Sequence, residues 1–239
     1  MNNTRISTHA LTLAFILLPS LACAAPPQQP KAEGIESPSY VWNADSGEKK
    51  EILKLKGNAE RGKEAYQGCQ GCHKPNGAGI PDGSYPQLAG QHASVLIKQM
   101  ADTREGRRDN PKMFPFAGKH VVTPQEIADI AVHLQNMKIP RDNGKGPGSS
   151  LARAKELYAK DCQSCHGENG EGDAAKFYPV LAGQHFKYLA REIRDIRDGK
   201  RRNSYPKMVK VVKGYSDADA DAVADYMSRL LMPERAAEK

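Results

Sequence analysis

Apolar residues recur at helical spacing in two stretches of the chain that are built alike. The spacing predicts a helix over 91–105 and a second helix over 184–198. Their apolar stripes are Val95, Leu96 and Met100 in the first helix, and Leu189, Ile193 and Ile196 in the second. Shorter helices are predicted over 59–68 and 151–161, and two closing helices begin at the capping signals Thr123-Pro124 and Ser216-Asp217. No stretch alternates like a strand, so the pattern predicts an all-α protein.

One long sequence pattern occurs twice, 93 residues apart. The first copy, CQGCHKPNGAGIPDGSYPQLAGQH, begins at Cys69, and the second copy, CQSCHGENGEGDAAKFYPVLAGQH, begins at Cys162. The correspondence continues through the next helix to Asn110 and Asn203, after which the second copy has two extra residues, Ser204 and Tyr205. This agreement indicates a duplication, so two similar domains are expected.

The repeat divides the chain into five predicted segments. Residues 1–24 are typical of a secretory signal, with Arg5 ahead of an apolar run and Ala22-Cys23-Ala24 as the cleavage site. The remaining segments are an N-terminal extension over 25–56, a first domain over 57–139, a Gly- and Pro-rich linker over 140–150 and a second domain over 151–235. The signal predicts an exported, periplasmic protein. The alternative for the N-terminus is a lipid anchor on Cys23, although Ser20 stands where such signals usually carry Leu.

Composition narrows the class of protein further. The chain has 239 residues, of which 39% are hydrophobic and 26% charged. No apolar run reaches the roughly 18 residues that a membrane-spanning helix needs, which excludes a multi-pass membrane protein. The chain has five cysteines, and removal of Cys23 with the signal leaves four.

Each copy of the repeat begins with a Cys-x-x-Cys-His motif. The two cysteines lie one helical turn apart, so both sulfurs can reach the vinyl groups of one haem, and the histidine can direct its imidazole at the iron. The residues are Cys69, Cys72 and His73 in the first copy, and Cys162, Cys165 and His166 in the second. The motifs therefore predict two covalently bound haem c groups, each filling the centre of a domain that is small for a helical core of its own.

Two other uses of the cysteines are weighed against haem. A disulfide in each motif is compatible with export, but it leaves His73 and His166 without a role. A zinc site lacks a fourth ligand at the spacing of a zinc finger. A disulfide would also not need the Cys-x-x-Cys-His motif twice, so haem is the favoured interpretation.

The chain resembles the di-haem cytochrome c4 family, a duplicated class I cytochrome c. The residues that carry the resemblance are the paired CxxCH motifs, each followed by YPxLAGQH and by a methionine-bearing loop, and it covers about residues 57–235. It implies two tandem class I cytochrome c domains, packed about a pseudo-twofold axis, each with a haem ligated by His and Met. It also implies that the carbonyls of Pro86 and Pro179 accept a hydrogen bond from the axial histidines.

The sixth iron ligand is sought among the methionines of each domain. These are Met100, Met113 and Met137 in the first domain and Met208 and Met227 in the second. Met100, Met137 and Met227 lie on predicted helices and are interpreted as core residues. Met113 and Met208 each follow a Pro-Lys pair in an irregular loop, and they are the predicted axial ligands. The alternative is that each methionine only shields the haem from solvent.

Two histidines of the repeat, His92 and His185, offer a weaker alternative for the sixth ligand. They stand at the start of a predicted helix beside a glycine. The resemblance assigns this place to a structural residue or to a contact near a haem propionate. Bis-His ligation is therefore disfavoured.

The expected function is electron transfer between redox proteins. An iron with both axial positions filled has no place for a substrate, and ligands that stay in place favour electron transfer. The alternatives are the cytochrome subunit of a sulfur-compound oxidoreductase, such as a flavocytochrome sulfide dehydrogenase, and a di-haem peroxidase. Expected partners are periplasmic or membrane-bound redox proteins, such as a terminal oxidase or a dehydrogenase, and not nucleic acid. Peripheral contact with a membrane stays open.

Charge offers a hypothesis about docking. The formal net charge is +7, and basic residues concentrate in the predicted turns 104–108 and 197–202. These turns are interpreted either as solvated loops or as surfaces that attract acidic partners. The docking hypothesis depends on Arg107 and Arg108 in the first turn, and on Lys200 and Arg201 in the second.

Overall fold

The computed structural model describes residues 28–232, and over this range it consists of helices joined by loops. The only β-structure between these residues is one isolated bridge between Asp173 and Tyr178. The predicted all-α fold class is therefore confirmed. Within the same range, no helix is long and apolar enough to cross a membrane.

The helices fall into an N-terminal segment and two domains. The N-terminal segment carries α1 (Gly47–Leu53). The first domain carries α2 (Ala59–Ala65), a 3₁₀ turn (Tyr66–Cys69), α3 (Gln70–His73), α4 (Ala93–Arg104), α5 (Phe114–Ala117) and α6 (Pro124–Asn136). The second domain carries α7 (Leu151–Asp161), α8 (Gln163–His166), α9 (Phe186–Arg197), α10 (Pro206–Val212) and α11 (Asp217–Arg229).

The two domains use the same packing. In the first domain α6 lies across α2 and α4, and in the second α11 lies across α7 and α9. The core of the first domain is built around Tyr66, Ile97 and Leu134. The core of the second domain forms one larger cluster around Tyr158 and Ile193. In both domains this packing leaves the cysteine motif at the end of the first helix, beside the core.

The closing helices begin where the sequence predicts. The Thr123 side chain accepts a hydrogen bond from the backbone N–H of Glu126, and the Glu126 carboxylate accepts one from the backbone N–H of Thr123. Ser216 and Asp219 form the same reciprocal pair at the start of α11. Such capping boxes satisfy backbone donors that the first helical turn leaves free.

Three short helices were not predicted. α5 and α10 lie in the methionine-bearing loops that the sequence pattern leaves irregular, and each has a proline in its first turn. α1 lies in the segment expected as an extension. Helices of four to seven residues are too short to show an apolar period, so the pattern cannot reveal them.

The predicted linker is held along the second domain. Asn143 donates its side-chain N–H groups to the carbonyls of Gln184 and Ser228. The backbone N–H groups of Gly146 and Gly148 donate to the two carboxylate oxygens of Asp225. The segment is thus a fixed connection rather than a free tether.

The N-terminal segment touches both domains. Gln29 donates to the backbone carbonyls of Thr103 and Arg108 at 2.7 Å each, and Ile52 is fully buried against the first core. The backbone N–H of Ile35 donates to the carbonyl of Arg202 at 2.8 Å. We call residues 29–53 the strap, because they lie across the junction of the two domains.

Candidate haem sites

Each cysteine motif lies on a helical turn at the end of the domain's first helix. Cys69 ends the 3₁₀ turn, and Cys72 and His73 lie on α3. Cys162 caps α7, and α8 carries Cys165 and His166. All four cysteines are free thiols, so the structure offers no support for a disulfide within a motif. Among residues 28–232 no cluster of three or more His, Cys, Asp or Glu side chains is suited to a metal ion alone.

The orientation of each motif histidine is set by a proline carbonyl. Nδ1 of His73 lies 3.2 Å from the carbonyl oxygen of Pro86, and Nδ1 of His166 lies 3.2 Å from that of Pro179. The hydrogen bond expected of each proline is thus present in both domains. It requires the proton on Nδ1, which leaves Nε2 as the nitrogen with a free lone pair.

A glycine allows the proline loop to approach the histidine. Gly79 donates its N–H to the His73 carbonyl, and a Cβ at Gly79 would lie 2.4 Å from the carbonyl oxygens of both Tyr85 and Pro86. Gly172 has the same place in the second domain, where a Cβ would lie 2.4 Å from the Tyr178 carbonyl oxygen. No larger residue fits between these backbones. The motif Asn-Gly-x-Gly, present in both copies, therefore builds the loop that presents the proline carbonyl.

The protonation state of both histidines suits a haem iron. Burial lowers the pKa of His73 and of His166, so both imidazoles are neutral at neutral pH. Among the residues described, neither ring makes a second hydrogen bond. Two free thiols and a buried neutral imidazole with Nε2 available form the donor set that covalent haem requires. The residues present therefore fit the group.

The methionines differ in burial and in the clusters that they contact. Met100 and Met137 pack against the two clusters of the first core, and Met227 is buried in the second core. Met208 is half-buried on α10, where it packs against the cluster that includes Cys162. Met113 is half-buried at the N-cap of α5, and its backbone N–H donates to the carbonyl of Asn110.

The glutamine of each AGQH motif joins the two domains. The side-chain amide of Gln91 donates to the carbonyl of Val180 at 3.0 Å and accepts from its N–H at 2.9 Å. The amide of Gln184 makes the same pair of bonds to the backbone of Gln87, each at 2.9 Å. Gln91 corresponds to Gln184, and Gln87 to Val180, in the repeat. The interface is therefore pseudo-twofold symmetric.

The neighbouring histidines belong to the same interface. Nε2 of His92 lies 2.8 Å from the carbonyl oxygen of Glu171, and Nε2 of His185 lies 2.7 Å from that of Ala78. Both acceptors belong to the opposite domain. His185 also accepts from the backbone N–H of Gly144 through Nδ1. The structure thus gives these two histidines a structural role in the contact between domains.

The basic turns contribute to the interface rather than to a free surface. Arg108 donates to Gln99 of its own domain at 2.9 Å and to Glu192 of the other at 3.3 Å. Arg201, its counterpart, donates to Glu192 at 2.7 Å and to Gln99 at 3.3 Å. Burial acts to raise the pKa of Glu192, but the two arginines hold it below its ordinary value.

The docking hypothesis is therefore wrong for Arg108 and Arg201, because both are already paired inside the interface. Arg104 is buried against Glu48, and Arg202 binds Glu36 of the strap. Arg107 pairs with Glu105. Of the four residues named for docking, Lys200 alone keeps a largely exposed side chain, at 71%.

Comparison with known proteins agrees with this architecture. The family model described as Cytochrome c matches residues 59–138 and again residues 151–231. Cytochrome c4 of Azotobacter vinelandii is 31% identical over 192 residues, which cover 73% of this chain and 90% of that protein. The thiosulfate dehydrogenase electron acceptor of Stutzerimonas stutzeri is 31% identical over 198 residues, with 75% and 90% covered. The crystal structure of reduced recombinant cytochrome c4 from Pseudomonas stutzeri matches with a TM-score of 0.64 at 28% identity, covering 73% of this chain and all of that one.

The two family matches and the curated relatives identify the class of protein. The chain belongs to the cytochrome c family, as a di-haem electron-transfer cytochrome of the c4 group. The resemblance drawn from the paired motifs and the expectation of two covalently bound haem c groups are confirmed.

Sequence reasoning missed the roles of Gln91, Gln184 and the strap. One signal was available for the glutamines. They are identical polar residues at matching places in both copies, next to an Ala-Gly pair that the copies share, as expected for a contact that follows the symmetry of the duplication.

Proposed function

We propose that the protein is a periplasmic carrier of single electrons. In this proposal Cys69 and Cys72 hold the first haem, and Cys162 and Cys165 hold the second, through thioether bonds. The axial ligands are His73 and Met113 in the first domain, and His166 and Met208 in the second. The observation that carries the proposal is the repeated geometry of a buried neutral imidazole, oriented through Nδ1 by a proline carbonyl.

The chain's own residues supply what electron transfer needs. The proline carbonyls keep the imidazoles in one orientation, and the packed cores exclude water around them. Each haem supplies an iron that takes up and releases one electron. Met113 and Met208 would each hold a haem iron through a thioether sulfur, which would favour the reduced state. With both a histidine and a methionine bound, the iron would offer a substrate no access, which disfavours a peroxidase.

The support for the methionines comes from their places in the fold. Met208 lies on α10, against the cluster that holds Cys162. Met113 has the equivalent place in the repeat, after a Pro-Lys pair and three residues beyond Asn110. Both are half-buried rather than fully enclosed in a core.

Replacement of each proposed methionine ligand tests the proposal. Met113→His and Met208→His should each lower one of the two midpoint potentials, because imidazole favours ferric iron more than a thioether does. Met100→Leu, a matched change of a core methionine, should leave both potentials near their wild-type values. Redox titration of the holoprotein, followed by visible and near-infrared absorption, measures the outcome. A shift in Met100→Leu without one in Met113→His would refute the first assignment.

Export and partners form the remaining part of the proposal. The predicted signal over 1–24 and the alternative lipid anchor at Cys23 lie outside the described residues. We propose that export follows the signal, in keeping with covalent haem attachment. Mass spectrometry of the mature N-terminus would distinguish cleavage before Ala25 from a lipid on Cys23.

A second candidate is an electron acceptor for a sulfur-compound oxidoreductase. The observation that favours it is the similarity to the thiosulfate dehydrogenase electron acceptor, which equals the similarity to cytochrome c4 at 31% identity. Co-purification of a second redox chain, and reduction of the haems by thiosulfate only in its presence, would support this candidate. Reduction by a quinol-oxidising partner alone would favour a free carrier.

A further inference from the structure

The strap places the only tryptophan of the chain, Trp42, against the second domain. The Trp42 ring lies 4.5 Å from the ring of Tyr205 and 6.3 Å from that of Tyr178, measured between centroids. The two tyrosine rings are 6.1 Å apart. The three aromatic rings form one cluster, which we call the Trp42 cluster.

The Trp42 cluster contacts the two chain segments that position the proposed ligands of the second haem, His166 and Met208. Tyr178 directly precedes Pro179, whose carbonyl orients His166, and the Tyr178 ring lies 6.2 Å from the His166 ring. Tyr205 is the N-cap residue of α10, the helix that carries Met208. The Trp42 side chain therefore contacts both Tyr178, which lies beside the proline that orients His166, and Tyr205, the N-cap residue of the helix that carries Met208.

The first domain has only half of this arrangement. Tyr85 corresponds to Tyr178, and its ring lies 6.0 Å from that of His73. Tyr205 belongs to the two-residue insertion of the second copy, so it has no counterpart. Among the residues described, the Tyr85 ring has no aromatic neighbour apart from His73. The contact with the strap thus distinguishes the second haem site from the first, although the two sites arose by duplication.

The position of Trp42 is held from the other side by the first domain. The ammonium of Lys98 lies 5.3 Å above the Trp42 ring. Lys98 is 2% exposed and pairs with Asp102, which in turn accepts from the side chain of Asn203 at 2.8 Å. A cation above an aromatic face attracts it, most strongly where water is excluded. Trp42 is therefore fixed between α4 and the loop that leads to Tyr205.

We propose that Trp42 is a positioning residue for the second haem, which holds the Pro179 loop and the Met208 helix together and keeps water from that side of the site. The inference rests on the proposed function, because it takes Met208 as the ligand. Firm thioether ligation and a dry surround both favour the reduced state of a haem. The strap therefore raises the potential of the second haem relative to the first.

The test is Trp42→Ala in the holoprotein, with imidazole as a competing ligand. We expect one midpoint potential to fall while the other stays at its wild-type value. We also expect ferric haem in the variant to bind imidazole several-fold more tightly at one site, because the loosened methionine is displaced more easily. The same change made in Met208→His protein should leave the remaining Met-ligated haem, the first, unaffected.

Controls separate this role from a general loss of structure. Val41→Ala alters the neighbouring side chain, which is 63% exposed, and should change neither potential nor imidazole affinity. Trp42→Phe keeps an aromatic ring and should restore most of both properties. If Trp42→Ala does not fold, Tyr205→Leu removes the opposite side of the cluster and should give the same one-site shift.

The outcomes distinguish the inference from the function on which it rests. Unchanged potentials and imidazole affinity in both Trp42→Ala and Tyr205→Leu would overturn the role of the strap, as would equal shifts at both haems. Wild-type protein without the near-infrared absorption that marks methionine on ferric iron would instead overturn the ligand assignment.

Discussion

At the scale of single residues, the two copies differ in the residue that directly follows the motif histidine. Lys74 has φ 66° and ψ 155°, and Gly167, its counterpart, has φ 81° and ψ 168°. This region of backbone conformation is essentially restricted to glycine. Tyr66 and Tyr158 donate to the carbonyls of Lys74 and Gly167, at 3.0 and 2.7 Å, and hold both turns in place. At this turn the first domain therefore carries backbone strain that the second avoids.

We predict opposite effects of exchanging these two residues. Lys74→Gly should stabilise the protein by about 1 kcal/mol, because relief of a strain of about 1–3 kcal/mol exceeds the extra chain entropy of glycine. Gly167→Lys should destabilise it by about 1–3 kcal/mol. Urea unfolding of the oxidised holoprotein measures both. Destabilisation by Lys74→Gly would show that the lysine side chain contributes more than its backbone costs.

At the scale of elements, a buried carboxylate ties α2 to α6. Asp129 is 1% exposed and accepts two hydrogen bonds from the Arg61 guanidinium, at 2.8 and 2.9 Å. It also accepts from the backbone N–H of Asn58, which caps α2. Burial acts to raise the pKa of Asp129, but these hydrogen bonds outweigh it and hold the pKa below its ordinary value.

This pKa implies a contribution to stability that depends on pH. The folded protein binds the Asp129 proton less readily than the unfolded chain, in which an aspartate carboxyl has a pKa of about 3.9. The contribution is therefore present above that pH and is lost as pH falls through the lowered folded value. Asp129→Asn should lower the free energy of unfolding at neutral pH and should make that free energy fall less steeply as the pH is lowered. The free energy of unfolding, measured from neutral pH into acid, gives the comparison, and Glu60→Gln at an exposed position is the control. If Asp129→Asn lost as much stability in acid as the wild type, the assignment would be contradicted.

At the scale of the whole molecule, the interface follows the symmetry of the duplication. Gln91 and Gln184 each satisfy a backbone N–H and a carbonyl of the opposite domain. Arg108 and Arg201 share Gln99 and Glu192 in the same symmetric way. The strap and the linker add contacts that break this symmetry. The two domains are thus fastened as one unit.

We predict that loss of the two glutamine amides uncouples the domains. Gln91→Ala with Gln184→Ala leaves backbone groups of Val180 and Gln87 without partners, at about 1–3 kcal/mol for each buried group. Thermal unfolding should change from one transition into two, while the visible spectra of both haems stay the same. Gln67→Ala removes an exposed amide and should preserve the single transition. A single transition in the double variant would show that Arg108, Arg201 and the strap hold the two domains together without the glutamine amides.

The sequence by itself determined the features that depend on neighbours along the chain. The CxxCH turns, the helices of eleven or more residues and the capping boxes at Thr123 and Ser216 follow from local spacing. Only the tertiary structure decided the roles of His92, Arg108 and Trp42. Their partners, Glu171, Glu192 and Tyr205, lie roughly 80 to 160 residues away along the chain. Such contacts depend on how two domains and a strap pack together, and apolar periodicity carries no information about that packing.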